Sequence, residues 1–528
     1  MKRLYLQTIS PIILLLILFI CGAAYALQGS TGANGSNAQA LHSLGIRGKG
    51  VNIGFVSIQN VFVEHNAFRD SNGIVHVENV NTDVVNGWHD TVLAGIMISQ
   101  GQSPDHLNDI GVCPDANVYC YRLGSSTGTS LQKIVKELIE TRECKVIVTG
   151  FEYDANANGQ TQETETYDYY ADICDVTFSV AAGNTGTKIT VLGDAYNGIT
   201  TGGLAETQTD NYQITGDATN DGPTSDGRRK PDVMAPSTNQ VVPGYNNGDP
   251  NWWNTGYSDG ATSWAIPHTA GVAALLLQYA NQSAEADDGH NTVIKAVIVN
   301  SAFGNILKRD GTPTYPANPA NVWNEQRGYG RIDALRAYQT LSAGKISKST
   351  IVNSPKGWAY DTMSSATHTY IIRGKKNKRL VLTVTWNRKI NYNKSTGIYS
   401  VDTPLFNIDL TVKDPCGNTI YSETNTKDNL EKIDMLLPAD GNYTVSLHNT
   451  TTKSRTYSLA FELLEPITGD FNIDYIVDEK DLNRIAIEWL TAGAETDIVH
   501  DSNNIVNYLD FAAFANNWLK IDKRYFNP

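Results

Sequence analysis

The sequence predicts an α/β protein: a parallel sheet covered by helices on both faces, followed by an antiparallel β-sandwich and a small helical module. Three observations carry this. Residues 40–345 alternate continuous apolar runs with helical patterns, as strands buried on both faces require. Residues 350–465 change to period-two alternation between turn residues, without helices. Residues 466–528 contain one short helical unit twice. With 528 residues, and about 150 residues for an ordinary domain, several modules are expected.

At the start, Lys2 and Arg3 precede an apolar run from Ile12 to Ile20, and Ala24-Tyr25-Ala26 offers the small residues a signal peptidase cuts beside. Residues 1–26 therefore read as a signal peptide. The run falls short of the roughly 20 residues that cross a bilayer, so a secreted protein, extracellular or associated with the cell surface, is expected, with no membrane span after cleavage. Residues 27–39 are rich in Gly, Ser and Asn and read as a disordered linker.

Within 40–345, the runs VNIGFVSI (51–58), ANVYCYRL (116–123), KVIVTGF (145–151) and VTFSVAAG (176–183) are predicted strands. SLQKIVKELIE (130–140) has the spacing of an amphipathic helix. In 350–465, Phe406, Ile408, Leu410 and Val412 alternate with polar residues before the turn Asp414-Pro415-Cys416-Gly417-Asn418. The same period recurs at Tyr443, Val445 and Leu447 and at Tyr457, Leu459 and Phe461. The repeated units are VDEKDLNRIAIEWL (477–490) and VNYLDFAAFANNWL (506–519).

A net charge of −14 argues against a nucleic-acid partner, which needs a basic face. Of six cysteines, Cys21 belongs to the leader, which leaves Cys113, Cys120, Cys144, Cys174 and Cys416, an odd number. Without a CxxC spacing, zinc and dithiol redox chemistry have no support. Cys144 and Cys174 each precede an apolar strand, and a bridge between them in an oxidising compartment is open.

The chemistry-bearing residues lie in the first unit. GATSWAIPHTAGVAALLL places Ser263 behind a glycine-bearing loop at the start of an apolar helix, where the helix dipole favours a developing negative charge. Alone, such a serine reads equally well as a cap. WHDTVLAG adds His89 at the start of another helical stretch, and SVAAGNTG adds Asn184 after a buried strand. Nucleophile, base and amide donor are the parts that acyl transfer needs.

These segments resemble the HGTHVAG, AAGN and GTSMASPH signatures of the subtilisin-like serine proteases, the subtilases, in the order histidine, asparagine, serine. GKGVNIGF, GVCPDANVYCYRL, RKPDVMAPS and GYGRIDALRAY match supporting segments, so the resemblance extends from Gly48 to Tyr338. It implies a subtilisin-like peptidase domain over 40–345 and a serine endopeptidase acting on peptide or protein substrates. Ser263 matches the nucleophile, His89 the general base and Asn184 the oxyanion donor, whereas His268 reads as a packed helix residue. The family's aspartate ends the first strand, but GFVSIQN puts Ser57 there, followed by Ile58 and Gln59.

A serine cannot supply the charge that orients and stabilises the imidazolium. In subtilisin itself, losing the aspartate costs about 3 × 10⁴ in kcat, against roughly 2 × 10⁶ for the serine or histidine. Ser57 therefore predicts a weakened catalyst that Ser57→Asp would improve. Glu64, Asp83 and Asp90 are the other carboxylates nearby in the chain, and Trp264 is expected to narrow the cleft beside Ser263. The rival reading is a catalytically impaired pseudoprotease that serves as an extracellular binding or scaffold protein.

The last module carries a second signal. Asp470, Asn472, Asp474, Asp478 and Asp481 fall at positions 1, 3, 5, 9 and 12 of a calcium loop, with the carbonyl of Ile476 at position 7. The second unit offers Asp501, Asn503, Asn507 and Asp510 at positions 3, 5, 9 and 12, but Val499 stands at position 1 and predicts a weaker site. Tandem loops closed by aspartate resemble type I dockerin modules, which implies calcium binding and a cohesin-type partner. The sandwich at 350–465 shows no catalytic constellation, and no pair of carboxylates supports glycosidase chemistry.

Overall fold

The computed structural model describes residues 26–520 apart from 82, 103–104, 125–129, 154, 209–210, 255–259, 313–321, 364–365, 472–476, 495 and 502–503. Its centre is an eight-stranded sheet. The strands are β1 (Asn52–Ser57), β2 (Val77–Asn79), β3 (Asn117–Arg122), β4 (Val146–Thr149), β5 (Thr177–Ala181), β6 (Ile199–Gln208), β7 (Asn211–Thr215) and β8 (Val233–Pro236). They run in the order β2-β3-β1-β4-β5-β6-β7, with β8 also paired to β6. Only β7 is antiparallel to its neighbour, so the carboxyl ends of β1, β4 and β5 share one edge.

The apolar runs are strands because helices cover both faces. Alternate residues of β1 divide between two cores: Ile53 and Phe55 face one, Val56 the other. The helices after the N-terminal segment are α3 (Trp88–Ile98), α4 (Leu131–Glu140), α5 (Gln162–Cys174), α6 (Thr262–Gln282), α7 (Asn291–Ser301) and α8 (Ala334–Ser342). The predicted stripe of α4 is buried as Leu131, Ile134, Val135 and Leu138. At Gly54 a Cβ would stand 2.5 Å from Ile147 Cδ1 and 3.1 Å from Leu138 Cβ, so glycine permits the approach of α4 to the sheet.

Residues 27–39 are not a disordered linker. They hold most of α1 (Ala26–Thr31) and the start of α2 (Gln39–His42), and Leu27, Ser30, Thr31, Ser36 and Ala38 are buried. The polar composition is satisfied within the fold: the Ser30 and Thr31 hydroxyls donate to the Leu27 carbonyl at 3.0 and 2.9 Å, and Asn37 donates to Asp333. Nor is there a bridge at Cys144 and Cys174; both are free thiols.

A two-stranded ribbon, β9 (Val242–Pro243) and β10 (Trp253–Asn254), precedes the second unit. Residues 351–464 then form two sheets packed face to face. One joins β11 (Ile351–Val352), β13 (Thr367–Gly374), β20 (Gly441–Asn449), β17 (Ile408–Lys413) and β18 (Thr419–Glu423). The other joins β12 (Lys356–Met363), β21 (Arg455–Leu464), β14 (Arg379–Trp386) and β19 (Leu430–Leu436). All pairs are antiparallel except β11 with β13. A hairpin of β15 (Ile390–Asn393) and β16 (Ile398–Val401) reaches α5, where Tyr392 and Tyr399 pack on Tyr169.

The sandwich has its own core and also closes part of the first unit's. Helix α7 is buried along its whole length between the parallel sheet and the sheet of β14 and β21. Trp358, Leu430 and Ala460 of the sandwich join the core of the first unit. Polar pairs cross the junction: Thr292 with Ser458 at 2.7 Å, Asn300 with Thr383 at 3.1 Å, and Arg336 with Glu462 at 2.7 Å.

The C-terminal module holds α9 (Glu479–Glu488) and α10 (Tyr508–Ala515) around Val477, Ile485, Val506 and Phe514. Among the described residues, no helix is long and apolar enough to cross a membrane.

Candidate active site

In an open parallel sheet, ligands meet the chain where strands end and loops diverge. Ser57 closes β1, Gly150 follows β4, and Asn184 lies in the loop after β5. Helices α3 and α6 bring His89 and Ser263 to the same region in their first turns. Their neighbours Trp88 and Trp264 pack together with ring centroids 6.1 Å apart. The indole of Trp264 is only 1% exposed, so it points into the core between the two helices instead of narrowing the cleft as expected.

Asn184 is held from its oxygen side. Its Oδ1 accepts the backbone N–H of Thr262 at 2.6 Å and the Thr262 hydroxyl at 2.9 Å. A backbone N–H can only donate, so this identifies the oxygen and leaves the side-chain NH₂ as the outward donor. Ser263 follows Thr262 in the first turn of α6, where backbone N–H groups have no partner within the helix. At Pro267 the helix lacks the N–H that would bond the Ser263 carbonyl. Asn184 is thus tied to the residue that precedes Ser263, and the Ser263 N–H belongs to the same helix start.

His89 is partly exposed, with its Nδ1 3.2 Å from Oδ1 of Asp90. Among the described residues it makes no hydrogen bond to Ser263. Ser57, the residue expected in the acid's place, is fully buried. Its hydroxyl donates to the Gln59 carbonyl at 2.5 Å and lies 3.2 Å from Cys120 Sγ. Burial, and after it the Asp90 charge, pushes the Cys120 thiol up to about 12. Of the other carboxylates near in sequence, Asp83 pairs with Arg122 at 2.7 Å and Glu64 is exposed.

His268 belongs to the packing. It is fully buried, with Nδ1 3.2 Å from the Ser36 hydroxyl and Nε2 3.0 Å from Gln240 Oε1. Burial lowers its pKa to about 3. Two neighbours of Asn184 escaped the sequence reading. Thr262 left a signal in being adjacent to Ser263. Glu152, whose carboxylate accepts the Asn184 N–H at 3.3 Å and the Thr190 hydroxyl at 3.0 Å, left none.

In the C-terminal module, Asn472, Asp474, Ile476 and Asn503 lie outside the described residues. Asp478 and Asn507 are the N-caps of α9 and α10 in reciprocal capping boxes with Asp481 and Asp510. Asp481 accepts the N–H groups of Phe471 at 2.7 Å and Asp478 at 3.0 Å. Asp510 accepts those of Ile498, Val499 and Asn507, and Asn507 donates to Asp501 at 3.0 Å. Asp470, Asp481 and Asp510 are buried. Among the described residues, no three acidic, histidine or cysteine side chains form a metal cluster. The donor set, entirely oxygen, is the type that calcium takes.

Comparison with known proteins follows the same lines. Residues 42–330, just over half of the chain, match the family described as the subtilase family (Peptidase_S8). Among solved structures, the prenylagaramide maturation protease PagA is 18% identical, with 58% of this chain and 98% of that chain covered, at a TM-score of 0.43. The patellamide maturation protease PatA is also 18% identical, over 56% and 97%, at 0.42. A cold-adapted subtilisin-like serine proteinase is 20% identical, over 51% and 88%, at 0.36.

Proposed function

This chain belongs to the subtilase family, whose members are serine peptidases, and from that premise we propose that it is a secreted serine endopeptidase. One observation carries the proposal: Asn184 is held by Thr262, the residue before Ser263, at the carboxyl edge of the sheet, with His89 on the adjoining helix. In this reading Ser263 Oγ attacks the substrate carbonyl while Nε2 of His89 takes its proton. The Asn184 amide and the Ser263 N–H receive the charge that develops on the carbonyl oxygen. His89 returns the proton to the leaving amine, and water then hydrolyses the acyl-enzyme.

The test is labelling with a serine-directed fluorophosphonate. An adduct at Ser263 that disappears in Ser263→Ala and is slowed in His89→Ala is expected. A folded protein that stays unlabelled at mildly alkaline pH would overturn the proposal in favour of the pseudoprotease.

The C-terminal module is proposed to be a calcium-binding dockerin that docks the enzyme on a cohesin-type partner. Support comes from the repeated capping boxes, the buried carboxylates Asp470, Asp481 and Asp510, and the oxygen-only donor spacing. Asp470, Asn472, Asp474, Asp478, Asp481 and the Ile476 carbonyl would hold one ion; Asp501, Asn503, Asn507 and Asp510 would hold a weaker second. Bound calcium would neutralise clustered charge and tie the loops to the helices. Secretion rests on the charge and hydropathy pattern of residues 1–26.

A further inference from the structure

We propose that the carboxylate that positions His89 has moved from the end of β1 to the first turn of α3, where Asp90 supplies it. This rests on the serine-peptidase reading of the same site. The usual acid position is closed to the role: Ser57 is neutral and buried, and its hydroxyl is committed to the Gln59 carbonyl and turned toward Cys120. Asp90 is fully buried, and its two oxygens have separate tasks. Oδ1 lies 3.2 Å from His89 Nδ1, and Oδ2 accepts the Gln59 N–H at 2.7 Å.

Gln59 is itself held. Its neighbour Asn60 accepts the Gly87 N–H and donates to Val85, which ties the loop after β1 to the start of α3. Asp90 is therefore anchored to the same loop that would carry the acid at position 57. Its place in the first turn of α3 also suits a negative charge. Gly150 lies beside this carboxylate: a Cβ there would stand 3.0 Å from the Phe55 ring and 3.4 Å, an ordinary contact distance, from Asp90 Oδ1.

The consequence is a defined tautomer. A carboxylate acceptor at Nδ1 keeps the proton on that nitrogen, which leaves the Nε2 lone pair as the base and stabilises the ring once it is protonated. Asp90 acts through His89 and touches no substrate, so it is a positioning residue. It also revises the expectation for Ser57→Asp, because a second buried carboxylate beside Asp90 would meet like-charge repulsion.

The experiment compares peptide hydrolysis by the full-length chain and its variants, with fluorophosphonate labelling in parallel. Asp90→Asn keeps the shape and should lower kcat by about 10³- to 10⁴-fold with KM nearly unchanged. Ser57→Asp alone should give no gain. In an Asp90→Gly background, however, Ser57→Asp should recover at least tenfold, because the carboxylate returns from the strand side. A structural role for Asp90 would not be rescued from another element. Should Asp90→Asn misfold, the Ser57→Asp comparison in the two backgrounds still decides. Wild type that labels and turns over, with Asp90→Asn equally active or Ser57→Asp raising activity only when Asp90 is present, would overturn the inference alone. Wild type that neither labels nor turns over would overturn the peptidase reading and this inference with it.

Discussion

Oδ1 of Asn184 accepts two hydrogen bonds from a single residue, Thr262: one from the backbone N–H at 2.6 Å and one from the hydroxyl at 2.9 Å. If the chain is the proposed peptidase, this hold aims the amide before any substrate arrives, which is what makes a donor effective against charge that exists only in the transition state. Asn184→Ala should lower kcat by about 10²–10³-fold with little change in KM, a magnitude taken from subtilisin, a member of the same family. Thr262→Val removes the hydroxyl bond but keeps the N–H, so its loss in kcat should be smaller. Steady-state kinetics on a peptide substrate check both, and a Thr262→Val variant as active as wild type would contradict aiming of the amide by the hydroxyl.

Arg388 of the second unit forms a buried ion pair with Asp168 of α5, and its guanidinium lies over the Tyr196 ring at 4.0 Å from the centroid. Asp168 also accepts the Asn197 N–H at 2.8 Å. Removing only the cation leaves a carboxylate buried beside its remaining donors. Arg388→Met should destabilise by about 3–5 kcal/mol, read as a lower denaturation midpoint at unchanged slope. Arg388→Met with Asp168→Asn should recover part of that loss.

His268 is neutral in the fold at every pH above about 3, whereas in the unfolded chain it takes up a proton near its ordinary value of about 6.5. Between these values the unfolded state binds the extra proton, so stability falls as pH drops from about 6.5 toward 3 and is flat in this respect above 7. The slope from this one group is about 1.4 kcal/mol per pH unit. Urea midpoints across that window should decline less steeply for His268→Gln than for wild type.

If the C-terminal module is the proposed calcium-binding dockerin, calcium should raise the melting temperature of its transition in the full-length chain and EDTA should lower it, because an ion held by the folded loops stabilises them by mass action. Asp470→Ala should weaken binding more than Asp501→Ala, since the second loop has Val499 at its first position. Isothermal calorimetry of the two variants checks the order. A melting profile indifferent to EDTA would contradict the calcium assignment.

The parallel strands, the amphipathic α4 and the alternating sandwich strands were legible in the sequence, because each follows from side-chain periodicity along a short stretch. Ser263, His89 and Asn184 each stand in a local pattern at the start of a helix or the end of a strand, and the structure places the three near the carboxyl edge of the sheet. What the sequence could not decide depends on groups far apart in the chain. Residues 27–39 look like a solvated linker, but their hydroxyls find partners inside the fold, as Ser36 does in His268. Every residue of β14 is buried, although Thr383 and Thr385 are polar, because α7 covers the outer face and Asn300 meets Thr383. The carboxylate beside His89 is the sharpest case. The sequence determined that position 57 holds a serine and placed Asp90 one residue from the histidine. Only the tertiary structure, by bringing the Gln59 N–H to one oxygen of Asp90 and leaving the other at Nδ1, decided which acid reaches the ring.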